Sequence, residues 1–252
     1  MRLVIKIGTQ VVSNKTGLNK KKIRQIIKEI AELLKLGHEV ILVSSGAIGG
    51  GLPLVHFAGP LQKKVAAAVG QPMLMHNYIN GAKKHKIVVG QILILSDDFT
   101  NQKHFKNFVL SVKAMLSHKV LPIINENDVM KREDLRVNDN DMLSAMIAVG
   151  LGADKLLILT NQNGLFTDNP DSNKNANLIK NVKNIDAEIK AACSVGKSDL
   201  GVGGMCAKIT SIEYATKRGI ETLIGNGEKT GTIIKVIGKN FFGTRFLANN
   251  KK

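Results

Sequence analysis

The chain has 252 residues, of which 44% are hydrophobic, so it is long enough for one large α/β domain or two small ones. No apolar stretch approaches the ~18 residues that span a membrane, and the apolar start is too short for a signal peptide, so we expect a cytoplasmic protein without membrane contact. The two cysteines, Cys193 and Cys206, argue against a disulfide framework, and the six histidines show no metal-ligand spacing.

The net charge of +16 would suit a nucleic-acid-binding protein. However, the lysines are spread along the whole chain, and aromatic residues make up only 4% of it, with no Trp to stack on bases. We therefore interpret the charge as a lysine-rich solvated surface and expect no nucleic-acid partner. Such a basic field would still attract polyanionic substrates.

Hydrophobic patterns predict strands and helices that alternate along the chain. Residue 72 is a proline, so the second helix is expected to break near Gly70-Gln71-Pro72. Segment 131–137 is expected to form a short hairpin or flap. The alternation indicates a mainly parallel sheet that is covered on both faces. The predicted strands are 3–8, 40–43, 88–95, 120–124, 156–159 and 220–224, and the predicted helices are 23–36, 61–84, 104–118, 142–148 and 208–218.

Two polar clusters stand close together near the middle of the chain. Asn125-Glu126-Asn127-Asp128 ends the strand predicted at 120–124, and Asn138-Asp139-Asn140-Asp141 precedes the helix predicted at 142–148. Any one of these residues alone is better explained as a turn residue or a helix N-cap than as part of a site. Together they indicate a binding site, because ligands of open α/β sheets bind outside the carboxyl ends of the strands.

Three glycine-rich segments, 6–9, 44–51 and 201–208, lie where a predicted strand meets a helix or where a helix begins. Glycine allows backbone N–H groups to approach a phosphate, although each segment alone is equally well explained as a tight turn. Lys6 strengthens the phosphate interpretation, because a lysine in a short apolar strand is costly unless its charge is paired. We expect its partner to be a phosphate or a carboxylate of the site, and Lys208 to supply a second cation.

An ordered set of motifs along the whole chain resembles the amino acid kinase family. The cluster 125–128 is similar to that of the members that phosphorylate glutamate. The motifs are Lys6-Ile7-Gly8-Thr9, Ser45-Gly46-Ala47-Ile48, Ile124-Asn125-Glu126-Asn127-Asp128, Asp139-Asn140-Asp141, Gly203-Gly204-Met205 with Lys208, and Gly243-Thr244-Arg245-Phe246.

The resemblance implies a three-layer α/β/α sandwich that forms a single domain over residues 1–252. Residues 1 to about 150 would bind glutamate, and about 151 to 252 would bind ATP. The implied reaction is the ATP-dependent phosphorylation of the side-chain carboxylate of L-glutamate to L-glutamyl 5-phosphate, the first step of proline biosynthesis. Many members carry a C-terminal RNA-binding-type PUA domain, which is not expected here because the sequence stops at Lys252.

The resemblance also assigns roles to individual residues. Asp141 would hold the two catalytic lysines, Lys6 and Lys208. Glutamate would be bound by Ser45, Asp128 and Asn140. The nucleotide would bring Mg²⁺ with it, so no metal site of the protein itself is expected. The implied nucleotide contacts are Lys6, Thr160, Asn161, Val202, Gly203, Gly204, Met205, Cys206, Ala207 and Lys208.

Partners follow from the same resemblance. L-glutamate and ATP would be the substrates, proline would be a feedback inhibitor, and the chain would form a homo-oligomer, either a dimer or a tetramer. The chemistry of the residues agrees with this: a carboxylate nucleophile is already anionic, so catalysis needs positioning and charge stabilisation rather than a general base.

Some features depart from the family pattern, and alternatives remain. Asn161 stands where an Asp is expected, and Cys206-Ala207 replaces a pair of hydroxyl residues. The chain could be a relative that phosphorylates acetylglutamate or a nucleoside monophosphate. Asp128 argues against acetylglutamate, because only free glutamate offers an α-ammonium group to that carboxylate. A basic nucleic-acid-binding protein is the less favoured alternative.

Overall fold

The computed structural model describes residues 1–130, 140–170, 172–192 and 204–249. The strands are β1 (Arg2–Ile7), β2 (Ser13–Asn14), β3 (Gly17–Leu18), β4 (Glu39–Ser44), β5 (Val88–Ile94), β6 (Val120–Glu126), β7 (Lys155–Thr160), β8 (Asn181–Val182), β9 (Glu221–Asn226) and β10 (Gly243–Phe246). The α-helices are α1 (Thr9–Val12), α2 (Lys20–Lys35), α3 (Ala47–Gly51), α4 (Gln62–Lys83), α5 (Gln102–Ser117), α6 (Asn140–Leu151), α7 (Ala187–Ala192) and α8 (Met205–Thr216). Short 3₁₀ helices occupy Leu52–Leu54, Ser96–Phe99 and Ile234–Ile237.

Eight of the described strands form one sheet in the order β5-β6-β4-β1-β7-β9-β10-β8. Neighbouring strands are parallel except for the antiparallel pair of β9 and β10. The predicted mainly parallel sheet is therefore confirmed. Because β1, β4, β6, β7 and β9 all run in one direction, the residues that follow them meet at one edge of the sheet.

Helices cover both faces of the sheet and give the three layers that were expected. On β1, Leu3, Ile5 and Ile7 belong to a core shared with α2 and α4, whereas Val4 belongs to a second core shared with α5, α6 and α8. This alternation follows from the two-residue period of a strand. Lys6 has the same parity as Val4 and therefore lies on the α6 and α8 face.

Helix α2 shows how local sequence sets an element. Its apolar residues recur at helical spacing, and Ile23, Ile27 and Ile30 are fully buried. The side chain of Asn19 accepts a hydrogen bond from the backbone N–H of Lys22 at 3.0 Å, which caps the first turn. Gly37, with φ of +79°, follows the last turn, as expected for a C-terminal glycine.

The predicted long elements are confirmed, but the expected break at Pro72 is wrong. Helix α4 continues through Pro72 to Lys83. A proline inside a helix costs about 3 kcal/mol, and the burial of Leu74, Met75 and Tyr78 in the following turns offsets that cost. The hairpin expected at 131–137, and the N-cap expected at Asn138 or Asp139, lie outside the described residues.

Several short elements were not predicted, namely α1, α3, α7, the β2–β3 hairpin, β8 and β10. Each is six residues or shorter, too short for a period to register. In the described part of the chain, no helix is both long and apolar enough to cross a membrane.

Candidate active site

A buried carboxylate joins two lysines at the carboxyl edge of the sheet. Asp141, in the first turn of α6, has no exposed surface. Its Oδ1 lies 2.5 Å from Nζ of Lys6, the penultimate residue of β1, and its Oδ2 lies 3.1 Å from Nζ of Lys208 in the first turn of α8. One strand and two helices that are distant in sequence therefore place two cations on one carboxylate.

The protonation of Asp141 follows from its surroundings. Burial by itself would raise the pKa of this carboxyl group, but the ammonium groups of Lys6 and Lys208 outweigh burial and hold its pKa below the ordinary value. Asp141 is therefore ionised at neutral pH. The partner expected for Lys6 is, in this structure, a carboxylate of the site.

A chain of amide hydrogen bonds lies beside this ion pair. Asn140 Nδ2 donates to Ser45 Oγ at 2.7 Å and to Asn125 Oδ1 at 3.2 Å. Asn125 Nδ2 in turn donates to Gln71 Oε1 on α4 at 2.9 Å. Asn140 Oδ1 is buried and accepts no hydrogen bond from any described residue. A ligand donor at this position would satisfy an acceptor that is otherwise costly to bury.

Hydrogen bonds to β1 and α4 hold the turn that carries Ser45. The backbone N–H of Ser45 donates to the carbonyl of Ile7 at 3.1 Å. The hydroxyl of Ser44 donates to the carbonyl of Ser45 and lies 2.8 Å from the hydroxyl of Tyr78 on α4. Burial raises the pKa of Tyr78 far above its ordinary value, so this phenol stays neutral.

Glycine is required at two points around this turn. Gly46, the N-cap of α3, has φ of +114°, and a Cβ there would lie 2.8 Å from a methyl group of Val12. A Cβ on Gly70 of α4 would lie 1.8 Å from the carbonyl oxygen of Ala47. The first glycine permits the left-handed turn after Ser45, and the second permits α3 and α4 to touch.

Asp128 follows the end of β6 at the same edge of the sheet. It is half-buried, and its backbone N–H donates to the carbonyl of Glu126 at 3.0 Å, which forms the turn after the strand. Because β6 pairs in parallel with β4, this turn and the turn containing Ser45 leave the sheet on the same side.

A second group of polar residues follows β7 and β9. The Thr160 hydroxyl accepts from the backbone N–H of Gln162 at 2.8 Å, and the Thr160 carbonyl accepts from the N–H of Gly227 at 2.8 Å. Asn226 Nδ2 donates to the carbonyl of Asn161 at 3.3 Å and to Asn163 Oδ1 at 3.1 Å. These contacts lock the two strand ends together.

The first turn of α8 lies beside Lys208. Gly204 is its N-cap, with φ of −58° and ψ of 177°, and Gly204, Cys206 and Ala207 are exposed. Backbone N–H groups in such a turn have no partner within the helix and favour an anion. Val202 and Gly203 lie outside the described residues.

Residues 1–226 match the amino acid kinase family. The chain belongs to the amino acid kinase family. It is 42% identical to a glutamate 5-kinase of Clostridium acetobutylicum over 255 residues, which covers 99% of this chain and 96% of that protein. It is 38% identical to a glutamate 5-kinase of Salmonella arizonae, over 98% of this chain and 68% of that protein.

The fold of this amino acid kinase agrees with solved structures. The X-ray structures of isopentenyl phosphate kinase include a chain that superposes with a TM-score of 0.67 at 15% identity, covering 98% of this chain and all of that one. A T. acidophilum isopentenyl phosphate kinase product complex gives a TM-score of 0.66. At this identity the likeness supports the fold only.

The sequence singled out most of the residues that this amino acid kinase brings together. Lys6, Asp141 and Lys208 are in contact, as are Ser45 and Asn140. It did not identify Gln71, Tyr78 or Asn226 as contributors. Among the described residues, no group of three or more His, Cys, Asp or Glu side chains is placed to bind a metal ion.

Proposed function

We propose that this chain catalyses the ATP-dependent phosphorylation of the side-chain carboxylate of L-glutamate, giving L-glutamyl 5-phosphate for proline biosynthesis. The observation that carries the proposal is the buried Lys6–Asp141–Lys208 arrangement next to the amide chain of Asn140 and Ser45. Membership of the amino acid kinase family and the similarity to glutamate 5-kinases support the same reaction.

The two lysines stabilise the charge that limits this reaction. Glutamate attacks as a carboxylate, so it and the triphosphate repel each other before the new P–O bond forms. The ammonium groups of Lys6 and Lys208 lie against the transferring phosphoryl group and offset this repulsion. Their effect is strongest in the transition state, when the bond to the leaving ADP is partly broken. Asp141 orients both ammonium groups, and because it is ionised it prevents them from repelling each other when no nucleotide is bound.

Glutamate is held at the amide chain beside this centre. Asn140 Oδ1 is a buried acceptor that an ammonium group of the substrate can satisfy. Asp128 supplies a negative charge to the same α-ammonium group. Ser45, fixed by Asn140 and by the left-handed turn at Gly46, positions a hydroxyl for a substrate carboxylate.

ATP lies across the other half of the site. Thr160 and Asn161 bind it at the end of β7. Its phosphates are bound by Val202, Gly203, Gly204, Met205, Cys206, Ala207 and Lys208. Mg²⁺ would enter with the nucleotide and would offset part of the phosphate charge, since it prefers oxygen ligands and retains water. Residues 1 to about 150 thus bind glutamate, and those from about 151 onward bind ATP.

Regulation and assembly extend the proposal. Proline carries an ammonium and a carboxylate group like those of glutamate, so it can compete at Ser45, Asp128 and Asn140. The chain is proposed to act as a dimer or tetramer.

Trapping of the acyl phosphate tests the reaction directly. The chain is incubated with ATP, Mg²⁺ and hydroxylamine, and hydroxamate is measured with glutamate, acetylglutamate or UMP as the acceptor; ADP release is followed in parallel. Hydroxamate with glutamate alone is expected. Turnover with acetylglutamate or UMP in preference to glutamate, or none with any acceptor, contradicts the proposed reaction.

A further inference from the structure

A buried carboxylate outside the proposed site joins two distant parts of the chain. Glu29 lies on α2 and is only 5% exposed. Its Oε1 accepts a hydrogen bond from the backbone N–H of Gly231 at 2.8 Å, and its Oε2 accepts one from the N–H of Ile233 at 2.9 Å. Both donors belong to segment 226–233, which leads from the end of β9 into the 3₁₀ helix at Ile234–Ile237.

Two neighbours on the same helix face complete this attachment. Lys22 Nζ donates to the carbonyl of Glu228 at 2.6 Å and to Gln25 Oε1 at 2.9 Å. Gln25 Nε2 donates to Glu29 Oε1 at 3.1 Å. The spacing of three and four residues places Lys22, Gln25 and Glu29 in one row. We call this row the α2 clamp.

The first two residues of segment 226–233 contact the residues assigned to the nucleotide. The Asn226 side chain donates to the Asn161 carbonyl, and the Gly227 N–H donates to the Thr160 carbonyl. Gly227 also packs closely against α1, because a Cβ there would lie 2.7 Å from a methyl group of Val11. The segment therefore links α2 to the end of β7 through hydrogen bonds at both of its ends.

We infer that the α2 clamp positions the nucleotide site. Within the part of the chain that the structure describes, no hydrogen bond or ion pair joins its side chains to the lysine pair or to the glutamate contacts. They act through segment 226–233 on Thr160 and Asn161. The inference rests on the proposed function, which assigns those two residues to ATP. Loss of the clamp should weaken nucleotide binding and leave glutamate binding unchanged, since the amide chain around Asn140 packs against α4 and α6.

The experiment compares Glu29→Ala with Glu29→Gln and with Glu32→Ala. Glu32 is half-buried on the same helix, and its side chain makes no hydrogen bond within the described residues, so it is a matched control. The dissociation constant of AMP-PNP is measured by calorimetry, KM is measured for ATP and for glutamate, and thermal unfolding checks the fold.

Glu29→Ala removes the two charge-assisted hydrogen bonds from segment 226–233 and the one from Gln25. It is expected to raise the AMP-PNP dissociation constant and the ATP KM about tenfold. The glutamate KM should stay within about twofold of the unmodified value. Glu29→Gln keeps one carbonyl acceptor, so its AMP-PNP dissociation constant and ATP KM should lie between those of Glu29→Ala and those of the unmodified chain. Glu32→Ala should match the unmodified chain.

An equal rise in both KM values, or an unchanged AMP-PNP dissociation constant, overturns the inference. If Glu29→Ala does not fold, Lys22→Met is used, because it keeps the apolar stem and removes the donor to Glu228. This variant must then raise the AMP-PNP dissociation constant and the ATP KM while the glutamate KM stays unchanged. A chain that binds AMP-PNP without phosphorylating glutamate would refute only the reaction. A chain that does not bind AMP-PNP at all would refute both proposals.

Discussion

The substitution Asp141→Asn tests the centre of the proposed site. It keeps the size of the side chain but removes the charge that lies 2.5 Å from the ammonium of Lys6 and 3.1 Å from that of Lys208. The amide presents a donor to at least one ammonium group, and the two cations lose the carboxylate that they share. Both effects act in a buried location, where solvent cannot screen them.

The expected magnitude is large for a single substitution. Removing one partner of a buried ion pair costs about 3–5 kcal/mol in the free energy of unfolding. In catalysis, misplacing a group that stabilises transition-state charge lowers kcat by about two to three orders of magnitude. The KM for ATP should not rise, because the phosphates can replace the lost carboxylate as the counter-charge of the lysines.

The pH dependence follows from the lowered pKa of Asp141. A carboxyl group whose pKa falls on folding stabilises the protein above its unfolded pKa, near the ordinary value of 3.8, and this contribution is lost as the pH falls through the lower folded pKa. The asparagine variant has no such group. Its free energy of unfolding should therefore decrease less steeply than that of the unmodified chain below pH 4.

Urea unfolding at neutral and acid pH, with and without AMP-PNP, and steady-state kinetics measure these effects. Asp97→Asn is the control, since Asp97 is exposed on the 3₁₀ helix at Ser96–Phe99. If the free energy of unfolding of Asp141→Asn lies within about 1 kcal/mol of that of the control, and its kcat is unchanged, the carboxylate does not organise the lysines. The reasoning from burial and charge is then refuted.

Four further predictions concern the lysines, the substrate and the glycine turn. Lys6→Ala and Lys208→Ala should each raise the catalytic barrier by about 3–4 kcal/mol and change the glutamate KM far less; near-normal kcat in both would contradict their role. Asp128→Asn should raise the glutamate KM strongly and leave the ATP KM nearly unchanged; a constant glutamate KM would make Asp128 a structural turn residue. Proline should inhibit initial rates, and its effect should weaken as glutamate is raised; no effect at any glutamate concentration would defeat this prediction. Gly46→Ala should lower the free energy of unfolding by more than about 1–2 kcal/mol and raise the glutamate KM, because backbone strain adds to a contact with a methyl group 2.8 Å away. Gly37→Ala, with similar strain but open space around it, should lose stability without a change in KM.

The sequence predicted the parts of the site that carry a local signal. Lys6 interrupts an apolar strand, and Asn140 and Asp141 belong to the polar cluster at 138–141 that precedes a predicted helix. Such features are visible because burying an unpaired charge is costly and because helix starts favour Asn and Asp. The observed Lys6–Asp141 pair is the result that these costs require.

Contacts between distant segments were not predictable in the same way. Gln71 was considered only as part of an expected helix break, yet its amide accepts from Asn125, 54 residues away. Glu29 has the spacing of an ordinary helix residue, and its role depends on Gly231, 202 residues further on. No local pattern encodes which strand lies beside which, so these partners emerge only when the sheet order brings them together.

The register of the strands determines which side chains meet at the active edge. In β1, Leu3, Ile5 and Ile7 face α2 and α4, so Lys6 must face α6 and α8, where Asp141 and Lys208 lie. A slip of β1 by one residue would present isoleucine to Asp141 and bury an unpaired lysine against α2 and α4. Within the described ranges of the chain, the face covered by α2 and α4 contributes no charge to the lysine pair, but it supports the residues at the edge of the sheet. Its helices α2 and α4 reach the edge through Glu29 and Gln71, which accept hydrogen bonds from Gly231 and Asn125. The pairing of Asp141 with Lys6 and Lys208 at the sheet edge therefore creates a site with two oriented cations. The overall charge of +16 does not create this site.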